Sequence, residues 1–246
     1  MSLNPFLKIL SLVMLVTAIS YSELPAKEEC IQISGQFNKI RCIQTLSGNT
    51  YQVRPQYVSS TILKDLNIKV IDPQLHPIEK VAGELDLMLA AFELNGIAFK
   101  NININYQKSN DLDLQHNIYS GVDSLSRFAL SSNTPARINI YFGKTSRQEL
   151  TGFSYGKSWG QGSLKNTIWL TQNIYVFPRR GAYSSILAHE LAHVILDEPD
   201  HSGAENILAP FAERSDLFTR SQIQSIKHSP FALINLSSKS LSSLEN

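Results

Sequence analysis

The sequence predicts an α+β fold: a twisted mixed sheet of about five strands packed on two long helices, with one more helix near the C-terminus. Three observations carry this. Between Ile78 and Leu94, apolar residues recur at Val81, Leu85, Leu89 and Phe92, the spacing of one buried helical face. Between Gly181 and Asp197, Leu187, Leu191 and Val194 form a second such stripe, with Ala188, Ala192 and Ile195 beside it. Around these stripes lie short runs of strand character, ordered strand, helix, strands, helix.

Thr50–Pro55 reads as a short extended link, and Ile68–Ile71 as a strand ended by Asp72-Pro73. Pro77 suits the first turn of the helix that follows, and Asn95-Gly96 suits its end. Ile97–Tyr106 predicts one strand, with Ile102, Ile104 and Tyr106 alternating against Asn101, Asn103 and Asn105. Residues 108–134 are polar and read as irregular, with His116 as a solvated loop histidine. Arg137–Phe142 and Asn166–Leu170 predict two more strands. Thr151–Ser163, Gly-rich with Phe153, Tyr155 and Trp159, reads as extended and bulged rather than as a central strand. Thr219-Arg220-Ser221-Gln222 is a capping box that starts a last helix through about Lys227. No internal repeat is present.

The length of 246 residues suits one good-sized domain with appendages. A net charge of +1 and no basic run with interleaved aromatics exclude a case for nucleic acid or an anionic membrane. Residues 1–20 read as an export signal: Lys8, an apolar run from Ile9 to Ile19, and small residues at Ala18 and Ser20, with cleavage after Ser20. That run is too short for a membrane-spanning helix, so no stable insertion is expected after cleavage and the destination is periplasmic or secreted. An uncleaved anchor is the alternative. Cys30 and Cys42 are the only cysteines, and in an oxidising compartment they are expected to form a disulfide closing a small hairpin. A thiolate that occupies a metal and holds the protein latent is the other use for such a residue. The domain plan is therefore 1–20 signal, 21–60 a disulfide-closed segment or removable prosegment, 61–228 the main domain and 229–246 a flexible Ser-rich tail.

The chemistry is concentrated in Ala188-His189-Glu190-Leu191-Ala192-His193, an H-E-x-x-H pattern on the second predicted helix. Residues four apart share one helical face, so His189 and His193 can give two imidazole nitrogens to one ion. Catalytic zinc takes three protein ligands and keeps a position open for water, and a glutamate beside that water handles its proton. Pro199 is expected to end the helix at about Glu198 and let the chain bring His201 to the same ion as third ligand. Glu213 is the chief competitor for that place, and Asp197, Asp200 and Glu205 are weaker ones. Glu190 is the candidate general base.

Motif and element order resemble the metzincin clan of zinc metallopeptidases over roughly residues 68–229. They are also similar to the matrix-metallopeptidase-like catalytic domain of exported bacterial proteins. There a short N-L-M segment follows the third histidine; here Glu205-Asn206-Ile207-Leu208-Ala209-Pro210 stands at that place. The final helix carries Gln222 and Gln224, where the resembled proteins have a Gln-containing helix. Three positions depart from the clan. Leu196 stands where it has Gly and Pro199 where it has the third ligand, so His201 demands a wider turn. Leu208 stands where the clan has the methionine of its Met-turn, and leucine can still supply an apolar floor. The resemblance implies one catalytic Zn²⁺, a protein or peptide substrate, and an extended substrate along an edge strand, with Thr151–Trp159 the candidate. The activity expected is that of an exported zinc endopeptidase. The alternatives are a zinc-stabilised binding protein without activity and a zinc hydrolase acting on a non-protein amide.

Overall fold

The computed structural model describes residues 30–31, 43–53, 61–108, 112–119, 123–134, 136–147, 155–176, 185–201, 206–209 and 217–233. The expected export signal, Cys42 and its pairing with Cys30, and Glu205 and Glu213 lie outside them. Among the described residues no helix is long and apolar enough to cross a membrane.

The fold is mixed α+β, with a larger sheet than expected. In chain order the strands are β1 (Cys30–Ile31), β2 (Ile43–Ser47), β3 (Thr50–Val53), β4 (Thr61–Leu63), β5 (Leu66–Val70), β6 (Ile97–Phe99), β7 (Ile102–Tyr106), β8 (Asn139–Gly143), β9 (Gly156–Trp159) and β10 (Thr167–Thr171). The helices are α1 (Ile78–Leu94), α2 (Leu114–Tyr119), α3 (Asp123–Ser132), α4 (Ile186–Leu196) and α5 (Arg220–His228). Eight strands form one sheet in the order β1-β2-β3-β7-β5-β8-β10-β9, where about five were expected, and β4 and β6 form a small second sheet.

The central strands β7, β5, β8 and β10 run parallel, and β9 closes one end antiparallel to β10. At the other end the β1–β3 meander joins β7 through antiparallel pairing of β3. Thr50–Val53 is therefore a sheet strand rather than a link, and Ile43 and Val53 are fully buried in the main core.

The expected single strand 97–106 is two strands. The chain leaves β4 and turns onto β5 at Lys100-Asn101, where Lys100 N–H reaches the Leu63 carbonyl and Asn101 accepts from Leu66 N–H. Residues 108–134 are not irregular throughout, because α2 and α3 lie there. In α2 the His116 N–H is capped by Asp113 Oδ1, and in α3 Leu125 and Ala129, one turn apart, are buried against Tyr141 and Trp169. The Ser-rich end is also docked at its start. Leu233 N–H bonds the Ile62 carbonyl, and Phe231 is buried.

α1 spans its predicted range. Asn95 ends it by donating its side-chain amide to the Ala91 carbonyl, and Gly96 takes a positive φ of 71°. Strand alternation then sets the layers. Ile68, Ile104, Ile140, Phe142 and Leu170 face Leu85, Met88 and Phe92 of α1 and Leu187 and Leu191 of α4. The parallel centre needs cover on both faces, and α3 supplies part of the second.

One histidine belongs to this core rather than to any site. His76 is fully buried, with Nε2 at 2.6 Å from the Gly143 carbonyl and Nδ1 at 2.7 Å from Tyr175 Oη. The carbonyl only accepts, so Nε2 carries the proton and Nδ1 accepts from the tyrosine. Burial pushes this imidazole below its usual value near 6.5, and this outweighs the Gly143 carbonyl and Asp72, which push it up. The folded state thus favours the neutral ring. Its contribution to stability is complete above the unfolded-state value near 6.5 and is lost as pH falls below it. In chelator-treated protein, urea unfolding at pH 7.5 and pH 5 is expected to show a larger acid loss for wild type than for His76→Gln. Equal losses would remove His76 from the acid sensitivity.

Candidate metal centre

The site begins with the way α4 starts and stops. Ser185 is its N-cap, with Oγ accepting from Ala188 N–H at 3.0 Å. From α1, the buried Glu84 carboxylate accepts from Ser185 Oγ–H at 2.7 Å and from Leu187 N–H at 3.1 Å. An acidic group among the free N–H donors of a helix start is well placed electrostatically. This clamp ties the motif helix to α1.

The helix ends at Leu196, earlier than the Pro199 argument predicted. Asp197 takes the left-handed conformation, with φ 55° and ψ 36°. The N–H groups of Asp197 and Glu198 both return to the His193 carbonyl. The turn that glycine makes in the resembled pattern thus falls one residue later, on an aspartate, a residue type that tolerates this conformation. Leu196 remains helical, which is why a side chain at that position is accommodated. Pro199 then carries the chain away from the helix. The turn lies close to the end of β9: a Cβ at Gly160 would stand 2.9 Å from Asp197 Oδ1, the tip of a side chain that can move aside.

This route brings His201 back over the motif helix. His189 Nε2 lies 3.1 Å from His201 Nε2 and 3.1 Å from His193 Nε2. The three rings form the one group of potential metal-binding side chains among the described residues. His189 and His193 are buried and His201 is exposed, so the cluster opens to solvent on one side.

The other ring nitrogens decide what this cluster can hold. His189 Nδ1 is 2.7 Å from the Ile207 carbonyl, and His193 Nδ1 is 2.5 Å from the Glu198 carbonyl. Carbonyls accept only, so each Nδ1 carries a proton and each Nε2 presents a lone pair. Two lone pairs 3.1 Å apart repel each other unless a cation lies between them. Zn–N bonds of about 2.05 Å at tetrahedral angles put nitrogens about 3.3 Å apart, close to the spacing seen. The donor set therefore fits a metal ion, with backbone carbonyls fixing the tautomer and aim of two ligands.

No protein-family model matches the chain, and no curated protein does. Among solved structures it is similar to metalloproteinase-II from Bacteroides fragilis, with a TM-score of 0.43 and 14% sequence identity. The match covers 71% of this chain and 55% of that one.

Of the sequence-predicted metal set, Glu205 and Glu213 lie outside the described residues. His189, His193 and His201 come together. Asp197 and Asp200 are exposed on the turn and outside the cluster. Glu190 follows His189 on α4 and is half-buried, reaching solvent beside a buried ligand. Leu208 is fully buried in the main core. Its turn is shaped by Asn206, whose Oδ1 accepts from Leu208 N–H at 2.8 Å. Of the remaining histidines, His116 sits in α2 and His228 bonds the Gln224 carbonyl at the end of α5.

Sequence reasoning missed four supports: the Ile207 and Glu198 carbonyls, Ser185 and Glu84. Ser185 before an apolar run was a readable N-cap signal. Glu84, a charge beside Leu85 on a buried stripe, was a readable anomaly.

Proposed function

We propose that the chain is a zinc-dependent endopeptidase, exported, with His189, His193 and His201 as the metal ligands and Glu190 as general base. What supports this reading above all is the convergence of three imidazoles, with His189 Nε2 at 3.1 Å from the Nε2 atoms of both His193 and His201 and the Nδ1 protons of His189 and His193 held by carbonyls. Zinc bound by three neutral imidazoles supplies Lewis acidity and lowers the pKa of a water at its open position. The protein's own part is to orient and to move protons. Glu190, next to His189 on α4 and reaching solvent, takes the proton of the attacking water and delivers it to the leaving amine. β9 is the terminal strand of the sheet among the described residues, the position at which an extended peptide adds by backbone pairing. Such pairing recognises backbone, which makes a polypeptide the natural substrate class.

The test is metal content followed by removal. Purified full-length protein is expected to hold one zinc per chain, to cleave an unfolded protein such as casein, and to lose cleavage on dialysis against a chelator. Activity should return with stoichiometric zinc. Zinc without cleavage of any polypeptide would instead mark a stabilising ion, and protein that binds no metal would end the reading.

A further inference from the structure

The sheet face away from α1 and α4 carries a second feature, remote in chemistry from the histidines. Alternation sends Leu66, Ile68, Val70, Ile102 and Ile104 to the helix-packed core and turns Asn67, Lys69, Asn103 and Asn105 to this face. Register sets these side chains in rows. Gln44, Gln52, Asn103, Asn67 and Asn139 follow one another across five neighbouring strands. Thr50, Asn105, Lys69 and Tyr141 form the next row. α3 covers the aromatic half of the face, over Tyr141 and Trp169. At the boundary is a cavity of about 280 Å³, lined by Asn67, Lys69, Asn103, Asn105, Gln107 and their neighbours.

Side-chain hydrogen bonds link these rows across the strands, and Asn105 Nδ2 donates to Thr50 Oγ1 at 3.1 Å. Gln52 Nε2 donates to Asn103 Oδ1 at 3.1 Å, and Asn103 Nδ2 donates to Asn67 Oδ1 at 3.4 Å. The chain of amides ends at Asn67 Nδ2, a buried donor with no acceptor among the described residues. Two residues along the same strand stands Lys69, the one formal charge in the lining. Its ammonium lies 5.6 Å from the Tyr141 ring centroid, and it makes no ion pair with a described residue. A buried N–H without a partner costs about 1–3 kcal/mol, so an acceptor that supplies the bond is favoured there. Lys69 and Asn67 stand two residues apart on β5, about 7 Å between their Cα atoms, and a cation beside an unpaired amide donor calls for oxygen carrying negative charge.

We propose that this cavity is a second ligand site, which takes the carboxylate or phosphate group of a small polar molecule. Lys69 Nζ and Asn67 Nδ2 hold the anionic oxygens. Thr50, Asn105 and Gln107 offer hydroxyl and amide partners to the rest of the ligand. The volume is below the range of roughly 300–1,000 Å³ typical of drug-sized ligands, and the lining is polar, which suits one hydrophilic ring rather than an apolar molecule.

The test is titration of the full chain, followed by calorimetry and by the side-chain amide signals of ¹⁵N-labelled protein. The probes are glucuronate, glucose 1-phosphate and neutral glucose. At least one anion is expected to bind saturably at one site and to shift an Asn side-chain signal that Asn67→Ala removes. Glucose should not bind. Affinity is expected to fall at least tenfold in Lys69→Met and to be largely kept in Lys69→Arg, and whichever anion binds more tightly identifies the carboxylate or the phosphate source. No saturable binding by either anion overturns the proposal. So does binding that is unchanged in both Lys69→Met and Asn67→Ala.

Discussion

If the proposed peptidase reading holds, Glu190→Gln is expected to keep its zinc and lose peptide hydrolysis by about 10²–10⁴-fold, the usual contribution of a positioned general base. The substitution preserves side-chain length and removes only the ability to take a proton. The three Nε2 donors are untouched by it, because His189 and His193 are aimed by the Ile207 and Glu198 carbonyls and His201 arrives on a separate turn. Metal content should therefore match wild type, and unfolding temperature with it. The measurement is zinc stoichiometry beside kcat and KM on one fluorogenic peptide. A fall confined to kcat is the expected form, since on that reading Glu190 acts on the water and substrate binding is left to β9. Hydrolysis within tenfold of wild type would remove Glu190 from the chemistry and leave the metal assignment standing.

How much of this was legible in the sequence follows from the distance over which each feature is decided. α1 and α4 were readable because their stripes are local: Val81, Leu85, Leu89 and Phe92 fix one buried face without reference to anything else. α2 and α3 were not. α2 is only six residues long, and the stripe of Leu125, Phe128 and Ala129 in α3 is short and set among polar residues, with its cover in Tyr141 and Trp169, which arrive later in the chain. The β1–β3 meander was undercounted for a related reason. β2 is largely exposed beyond Ile43, and what recruits the meander is the otherwise free edge of β7.

The same rule divides the candidate site. His189 and His193 were legible because four residues on a helix is a geometric statement. His201 was legible as a spacing, although the reason given for the turn was incomplete: Asp197 in the left-handed region ends the helix before Pro199 is reached. The partners of the Nδ1 atoms had no signature, because a backbone carbonyl belongs to every residue type. Only the fold shows that Ile207 offers its carbonyl to His189, from a turn that Asn206 braces and Leu208 anchors in the core.

Removal of the Glu84 carboxylate is expected to be among the most damaging single changes away from the ligands. Glu84 is 2% exposed and reaches across 101 and 103 residues of sequence to Ser185 Oγ and Leu187 N, at 2.7 and 3.1 Å. Hydrogen bonds to a charged group contribute roughly 1.5–3 kcal/mol each. The two here share one oxygen, so Glu84→Ala is expected to cost about 3 kcal/mol. At this chain length that is a fall in Tm of about 6–12 °C. Glu84→Gln keeps an oxygen that can accept from both donors and loses the charge, so it should lose about a third as much. The effect is not stability alone. The two donors are the cap and the first turn of α4, and the same helix carries His189 one turn further on, with His189 N–H bonded to the Ser185 carbonyl. Loosening that turn moves the first metal ligand relative to the Ile207 carbonyl that aims it. Zinc affinity, measured by competition with a chelator well below the Tm of the variant, should therefore fall in Glu84→Ala and recover partly in Glu84→Gln. Unchanged Tm in Glu84→Ala would show that the clamp contributes nothing to the fold. Lower Tm with unchanged zinc affinity would confine Glu84 to holding α1 and α4 together.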